Sequence, residues 1–328
     1  MKIVFCGTPS FAVSTLKAVL RAGHEVALVV TQPDRPSGRG MTLIAPPVKE
    51  TAIAAGLPVI QPEKIKKNAE FREQLERVAP DVILVVAYGR IIPKWMLDLP
   101  RFGNLNLHAS LLPKYRGAAP VQWAIANGEP ETGATTMRLD EGLDTGEILM
   151  QRKMALAPDQ TSADVFPRLA EMGAALMVET LDGLAAGSIT PVKQNDALAT
   201  HAPILTREDG RMDFSQPAMT IYNRWRGFQP WPGAWTLLNG KKLTAHRLMP
   251  MDAGSHPTDE DSSVGTPGQA GGPDEPAAVR VQEGRLFVRC GEATWLELVE
   301  VQLEGKKRMA AGDFLRGHGL RDGDRIGE

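Results

Sequence analysis

The sequence predicts two domains: an α/β domain on a doubly wound, Rossmann-like parallel sheet, and a small C-terminal β-barrel of OB-like type. Three observations predict them. Short, predominantly apolar runs, Lys2–Cys6 and Asp81–Ala87, alternate with helical patterns in the first half, as parallel strands covered on both faces do. After residue 207 the segments become short and strand-like, punctuated by Gly, Pro and charges. Between the two regimes, Gly187, Pro191 and Pro203 mark an irregular stretch. The expected boundaries are a domain at 1–187, a linker at 188–206, a β domain at 207–315 and a frayed, Gly-rich tail at 316–328.

The elements follow in order. A buried strand at 2–6 turns at Gly7-Thr8-Pro9, and Ser10 is placed to cap a helix whose Phe11, Leu16, Val19 and Leu20 share a face before Gly23 ends it. A strand at 25–31, a helix at 47–55, a strand at 57–60 and a polar helix at 68–78 lead to the central strand at 81–87. Another strand ends at His108, and Pro120 opens a helix. A long helix covers 162–185, with Thr161 and Asp164 at capping-box spacing. The β domain takes strands at 234–238, 243–248, 279–282, 285–289 and 295–302. Between them, 252–276 is rich in Gly, Pro and Ser, carries six acids and no Lys or Arg, and reads as a mobile loop.

At 328 residues, 43% apolar and 23% charged, the chain has an ordinary globular balance. A net charge of -2 excludes a polycation, so nucleic acid would be bound through a local patch. Residues 207–251 carry seven Lys/Arg and three acids, net +4, while 277–328 carry nine of each with Lys306, Lys307 and Arg308 clustered. Cys6 and Cys290 read as two reduced thiols. No signal-like start and no apolar run of bilayer length is present, which predicts a cytoplasmic protein with no membrane partner. Without heptads or a sustained apolar edge it should be a monomer.

A glycine after the first strand raises the possibility of a dinucleotide site. Gly7-Thr8-Pro9-Ser10-Phe11-Ala12 lacks the further glycines that a pyrophosphate needs, and Gln32-Pro33 stand where an acid should close the second strand. A nicotinamide-dependent dehydrogenase is disfavoured accordingly. The better candidate is "NLNLHASLLPKYRG", Asn104–Gly117. Asn106 and His108 are two apart on a strand, so both side chains point to one side. They stand at the carboxyl end, where such sheets place ligands. An amide and an imidazole can both donate to one oxygen, as oxyanion stabilisation in acyl transfer requires. Ser110-Leu-Leu-Pro113 makes a compact turn, while Lys114, Tyr115 and Arg116 are either solvated charge or a substrate-facing rim. In "LDEGLDTGEIL", Leu139–Leu149, Asp144 sits in a glycine-bounded loop that suits a carboxylate beside His108. No Gly-x-Ser-x-Gly elbow supplies a nucleophile, and the six His form no close ligand pair for a metal. Direct attack of an acceptor on an acyl donor is the simplest chemistry left.

Asn106-Leu-His108, Ser110-Leu-Leu-Pro113, Arg116-Gly-Ala-Ala-Pro120 and Leu143-Asp-Thr-Gly146 together resemble the folate-dependent formyltransferases. "TQPDRPSGRG" (Thr31–Gly40) resembles the basic loop inserted after the second strand in the branch that acts on methionyl-tRNA. "FQPWPGAW" (Phe228–Trp235) resembles the start of the family's C-terminal domain, a stretch that amino-sugar formyltransferases share in similar form, and "GKKRM" (Gly305–Met309) resembles its closing motif. The likeness runs through residues 1–315; the acidic 252–276 insertion departs from it.

The resemblance implies 10-formyltetrahydrofolate as donor, no metal, and the α-amino group of methionine on initiator tRNA as acceptor. An amino-sugar acceptor using the same catalytic trio is the alternative; a non-catalytic RNA-binding protein is disfavoured because the trio is complete. Asn106 and His108 would hold the oxyanion, and Asp144 would orient His108 and relay the amine proton. The folate would lie along Val85–Pro93 and the 139–144 loop, with Tyr88, Arg90, Ile91, Ser110, Leu111, Leu112 and Pro113 as candidates. Tyr88 has an equal reading as a packed strand end, and Arg90 as solvated charge. Arg35, Arg39, Lys114, Arg116, Lys306, Lys307 and Arg308 would face the tRNA phosphates.

Overall fold

In a computed structural model, which describes residues 1–37, 41–251, 255, 257 and 275–328, the chain runs β1 (Lys2–Gly7), α1 (Ser10–Arg21), β2 (Glu25–Val30), β3 (Arg35–Ser37), β4 (Thr42–Ile44), α2 (Pro47–Ala54), β5 (Val59–Ile60), α3 (Ala69–Val78), β6 (Val82–Val86), α4 (Lys94–Leu97), β7 (Asn104–His108), β8 (Arg116–Gly117), α5 (Pro120–Ala126), β9 (Glu131–Arg138), β10 (Ile148–Ala155), α6 (Ser162–Ala185) and β11 (His201–Ala202). It continues with α7 (Ala218–Gly227), β12 (Ala234–Leu238), β13 (Lys241–Pro250), β14 (Val279–Gln282), β15 (Arg285–Arg289), β16 (Trp295–Leu303), β17 (Met309–Ala310) and α8 (Ala311–His318). Two compact units result: one of 1–121, 130–156 and 164–203, the other of 122–129, 157–163 and 204–328. Two short pieces from the first half of the chain thus fold with the C-terminal unit.

The first unit holds a seven-stranded sheet in the order β10-β9-β7-β6-β1-β2-β5. From β7 to β5 all pairs are parallel. The chain steps outward from β1 through β2 to β5 and then returns to β6 on the other side of β1. That reversal is the topological switch beyond which ligands bind in such sheets. The sheet is not wholly parallel, as expected, but mixed: β9 and β10 add to β7 antiparallel. Val4, Cys6, Leu28, Val30, Ile83 and Val85 alternate onto one face and pack with Phe71 and Leu75 of α3 and Met96 of α4. Leu84, Leu105 and Leu107 face the other way and are buried, with Gly173 of α6 fitting so closely on Leu107 that a Cβ there would lie 2.9 Å from a leucine methyl. Ser10 does not cap α1; Pro9 holds the N-cap position and offers no side-chain acceptor. Asn68 does cap α3, accepting from the Phe71 N–H at 3.0 Å. Leu84 is fully buried, so Leu84→Ala will lower the unfolding free energy by about 2–5 kcal/mol, readable as a shifted urea midpoint at unchanged slope.

The second unit is a sheet ordered β12-β13-β16-β15-β14, with β17 added on β16. Every pair is antiparallel, and β13 is bulged against β16 around Arg247. Leu243, Leu248, Leu286, Val288, Leu296, Leu298 and Val301 point to one side, where Ile221 of α7 and Phe314 of α8 close the core. Neither helix was expected from the sequence. Within this unit Trp123 meets Phe228 edge-on at 5.3 Å, and Arg226, only 5% exposed, donates to the Ala157 and Gln160 carbonyls at 3.2 and 2.9 Å. The tail differs from expectation too. Asp324, Ile326 and Gly327 bond to the backbone of Val279, Ala277 and Leu237 at 2.7–3.1 Å, and Ile326 is buried, so sheet hydrogen bonds hold residues that composition alone marked as frayed. The 252–276 insertion lies almost wholly outside the described residues; its last acid, Glu275, pairs with Arg325 at 2.5 Å.

Among the described residues no helix is long and apolar enough to cross a membrane, and no three His, Cys, Asp or Glu side chains are grouped to hold a metal. Cys6 and Cys290 are free and buried; burial pushes the Cys290 thiol up to about 12 and Cys6 higher still, so neither is a thiolate nucleophile.

Candidate active site

The site grows from the carboxyl end of β7. Asn104, Asn106 and His108 alternate onto one face. Asn104 spends its amide on structure, donating to the Met96 and Leu97 carbonyls at 2.8 and 3.1 Å. Asn106, two residues on, is half-buried. His108 is 5% exposed. Its Nε2 lies 2.8 Å from the Tyr115 carbonyl, and since a carbonyl only accepts, that nitrogen carries the proton. Nδ1 is left facing Asp144, whose Oδ2 lies 3.7 Å away. The same Oδ2 accepts the Gly117 N–H at 2.9 Å.

Two tight turns bring these groups together. Tyr115 and Asp144 both take left-handed backbone, at φ 62° and 54°, a conformation aspartate tolerates better than most residues. Gly117, at φ +124°, passes so close to β11 that a Cβ would lie 2.5 Å from the Ala202 oxygen, and a Cβ on Gly146 would collide with the Arg138 carbonyl. Only glycine lets both chains approach there.

The Ser110–Pro113 turn is stapled from β9 and β10. The Thr135 hydroxyl accepts from the Leu112 N–H at 3.2 Å and donates to the Ser110 carbonyl at 2.7 Å, while Gln151 donates to the Leu112 carbonyl at 2.9 Å. Ser110 and Leu112 are buried in the protein and Leu111 and Pro113 half-buried, so only the latter two offer surface. Of the other folate candidates, Tyr88 is core: it is 1% exposed, and burial, then the Cys6 thiol, hold its phenol well above the ordinary value. Its carbonyl accepts from Thr8 Oγ1 and Gln32 Nε2, both at 3.1 Å, tying together the loops after β1, β2 and β6. Arg90 is half-buried. Ile91 is 91% exposed and Leu143 65%, two large apolar side chains turned to solvent in the segments expected to meet folate.

Arg35, Lys114, Lys306, Lys307 and Arg308 are exposed, and Arg308 pairs with Glu300. Arg39 lies outside the described residues. Arg116 must be corrected: it is 6% exposed, and its guanidinium donates to Gln194 Oε1 at 2.8 and 3.1 Å and to Asp196 at 2.7 Å. A charge so engaged faces inward, not toward RNA. Sequence inspection missed Thr135, Gln151 and Gln194. Thr-rich "ETGATTMR" carried a strand signal that could have placed Thr135; nothing local marks Gln194.

Two family models match in order: Formyl transferase over residues 1–181 and Formyl transferase, C-terminal domain, over 204–319. The chain is 67% identical to the methionyl-tRNA formyltransferase of Acidobacterium capsulatum over 327 residues, covering 100% of both. It is 55% identical to that of Koribacter versatilis, covering 100% of this chain and 99% of the relative. Among solved structures, an N-formyltransferase from Helicobacter canadensis, in complex with folinic acid and dTDP-3-aminofucose, shares the fold at a TM-score of 0.62 and 17% identity, covering 91% of this chain and 98% of that one. Matched in both domains and end to end, the chain belongs to the methionyl-tRNA formyltransferase family.

Proposed function

We propose that the chain transfers the formyl group of 10-formyltetrahydrofolate to the α-amino group of methionyl initiator tRNA, as a cytoplasmic monomer. The full-length likeness to relatives of that name supports the substrates. The residues at the end of β7 support the chemistry, and the observation that carries it is the Asn106 amide, which has no partner among the described residues, while both N–H donors of the neighbouring Asn104 amide are engaged. That leaves a donor for an incoming oxygen.

The residues divide the work as follows. An α-amino group titrates near ~8, so a fraction is free to attack the formyl carbon. Asn106 donates to the oxygen as charge builds on it. His108, with its proton held on Nε2 by Tyr115, presents the Nδ1 lone pair and takes the amine proton. Asp144 faces the imidazolium that forms. His108 then returns the proton from Nδ1 to the departing folate nitrogen as the old C–N bond breaks. The sequence expectation that Asn106 and His108 both donate to the oxyanion therefore applies only to the protonated ring. Ile91 and Leu143 offer apolar surface to the folate ring, and Leu111 and Pro113 border it.

We read the C-terminal sheet as an OB-like barrel, a form that binds nucleic acids, with Lys306 and Lys307 on its rim and Arg35 on the β3–β4 hairpin as phosphate contacts. Replacing Lys306 and Lys307 together by alanine will raise KM for tRNA and lower the slope of log affinity against log salt by about 1 per lysine, with folate KM unchanged. Titration of tRNA at several salt concentrations reads both. The substrate assignment is tested by acid-gel mobility of methionyl initiator tRNA after incubation with 10-formyltetrahydrofolate, with methionyl elongator tRNA alongside. Formylation of the initiator alone is expected; folate binding without formylation would move the acceptor to a small amine such as an amino sugar.

A further inference from the structure

The stretch from Pro191 to Pro203 has the composition of a connector, yet Gln194 within it is only 5% exposed. Its side-chain amide is fully used. Nε2 donates one hydrogen to the Asp144 carbonyl and the other to the Gly146 carbonyl, both at 2.8 Å. Oε1 accepts twice, from Arg116 Nε and from its terminal nitrogen, at 3.1 and 2.8 Å. An amide with two donors and two lone pairs has nothing left over. Each of its neighbours leads to the reacting pair. Asp144 is the residue whose main chain it grips, at the point where the backbone takes φ 54°. Arg116 is followed by Gly117, whose N–H holds the Asp144 carboxylate from the other side at 2.9 Å, and preceded by Tyr115, whose carbonyl holds His108 at 2.8 Å.

The same connector also fixes the backbone of that segment. The Tyr115 N–H donates to Thr200 Oγ1 at 2.8 Å, the Arg116 N–H to the Thr200 carbonyl at 2.8 Å and the Ala119 N–H to the Ala202 carbonyl at 3.2 Å, and β11 pairs in parallel with β8. Gln194 thus ties the main chain of the loop bearing Asp144 to the segment bearing the anchors of both Asp144 and His108.

We infer that Gln194 is a positioning residue for formyl transfer, setting the Asp144 carboxylate against His108 Nδ1 by clamping the 144–146 backbone to Arg116. It does not touch the reacting atoms; it acts through Asp144, and so it rests on the catalytic reading of Asp144 given above. The chemistry of the amide is the specific element. A carboxylate of the same shape would keep Arg116 as partner, and with it the local fold, but would set a charged acceptor against two carbonyl oxygens that can only accept. The loop would be released while the connector stays docked.

The test is a double-mutant cycle on the full-length enzyme, with Gln194→Glu and Asp144→Asn, reading kcat, the KM values for folate and tRNA, and the thermal midpoint of each variant. Gln194→Glu is expected to lower kcat by about 10–100-fold, the scale set by small misplacements of a catalytic group, with both KM values within a factor of about three. In the Asp144→Asn background it is expected to lower kcat by less than about threefold, because the group it positions is already gone. Gln194→Met, which keeps the length and removes the hydrogen bonds, serves as the second variant and should behave alike. Wild-type kcat in Gln194→Glu would overturn the inference, as would an equal loss in both backgrounds, which is the signature of a general loss of stability. Full turnover by Asp144→Asn alone would instead remove the catalytic reading on which the inference stands.

Discussion

Asn106→Ala will lower kcat by about 10²–10³, the usual cost of one oxyanion donor, and leave folate affinity within a few fold. The expectation follows from two asparagines on one strand face with opposite bonding. Asn104 is 1% exposed and both of its N–H donors are taken by the Met96 and Leu97 carbonyls of α4, so it is structural. Asn106 is half-buried, near the end of β7, and its side-chain donors have no partner among the described residues. Binding of the ground-state formyl oxygen gains little from such a donor; the benefit appears as charge develops. Steady-state kinetics with initiator tRNA, together with calorimetric titration of a non-transferable folate, separate the two effects. A loss of kcat below tenfold would take Asn106 out of the oxyanion role.

Asp144→Asn is the second large effect, about 10²–10⁴ in kcat. Its carboxylate is 3.7 Å from His108 Nδ1, and the two side chains are only 13% and 6% exposed. At an effective dielectric of ~20 a full charge pair at that distance is worth about 4 kcal/mol, or about 10³ in rate if it exists only while His108 is protonated. The amide keeps the shape and can keep the Gly117 bond, but it cannot meet a cation with a charge. Full activity in this variant would remove Asp144 from the mechanism, and a raised folate KM with normal kcat would make it a binding group.

Much of this was legible in the sequence, and the exceptions have physical causes. β1 and β6 announce themselves because strands covered on both faces are apolar at nearly every position. β9 is covered just as fully, yet reads as polar, because Thr132, Thr135 and Thr136 fill it. Two of those hydroxyls are satisfied inside the protein, Thr135 by the Ser110–Pro113 turn and Thr136 by Thr180 at 2.8 Å. A buried strand can be polar when its partners come from elsewhere, and the partner of Thr136 is 44 residues away. Asn106 and His108 were readable as a pair because their relation is local, two residues on one strand. Gln194 was not, since its contacts reach 48 and 50 residues back. Arg116 was misread because an arginine in a basic run looks like surface; only Gln194 and Asp196, far along the chain, turn it inward.

The make-up of the second unit has a consequence for biosynthesis. Trp123 emerges from the ribosome with the first half of the chain, but Phe228, the ring it meets at 5.3 Å, is made much later. At about 5–20 residues per second, Trp123 waits on the order of 5–20 s for that ring. Residues 157–163 likewise wait for Arg226. The nascent first half must keep an indole free of wrong partners during that interval, so any chaperone demand of this enzyme should fall before its C-terminal strands are translated.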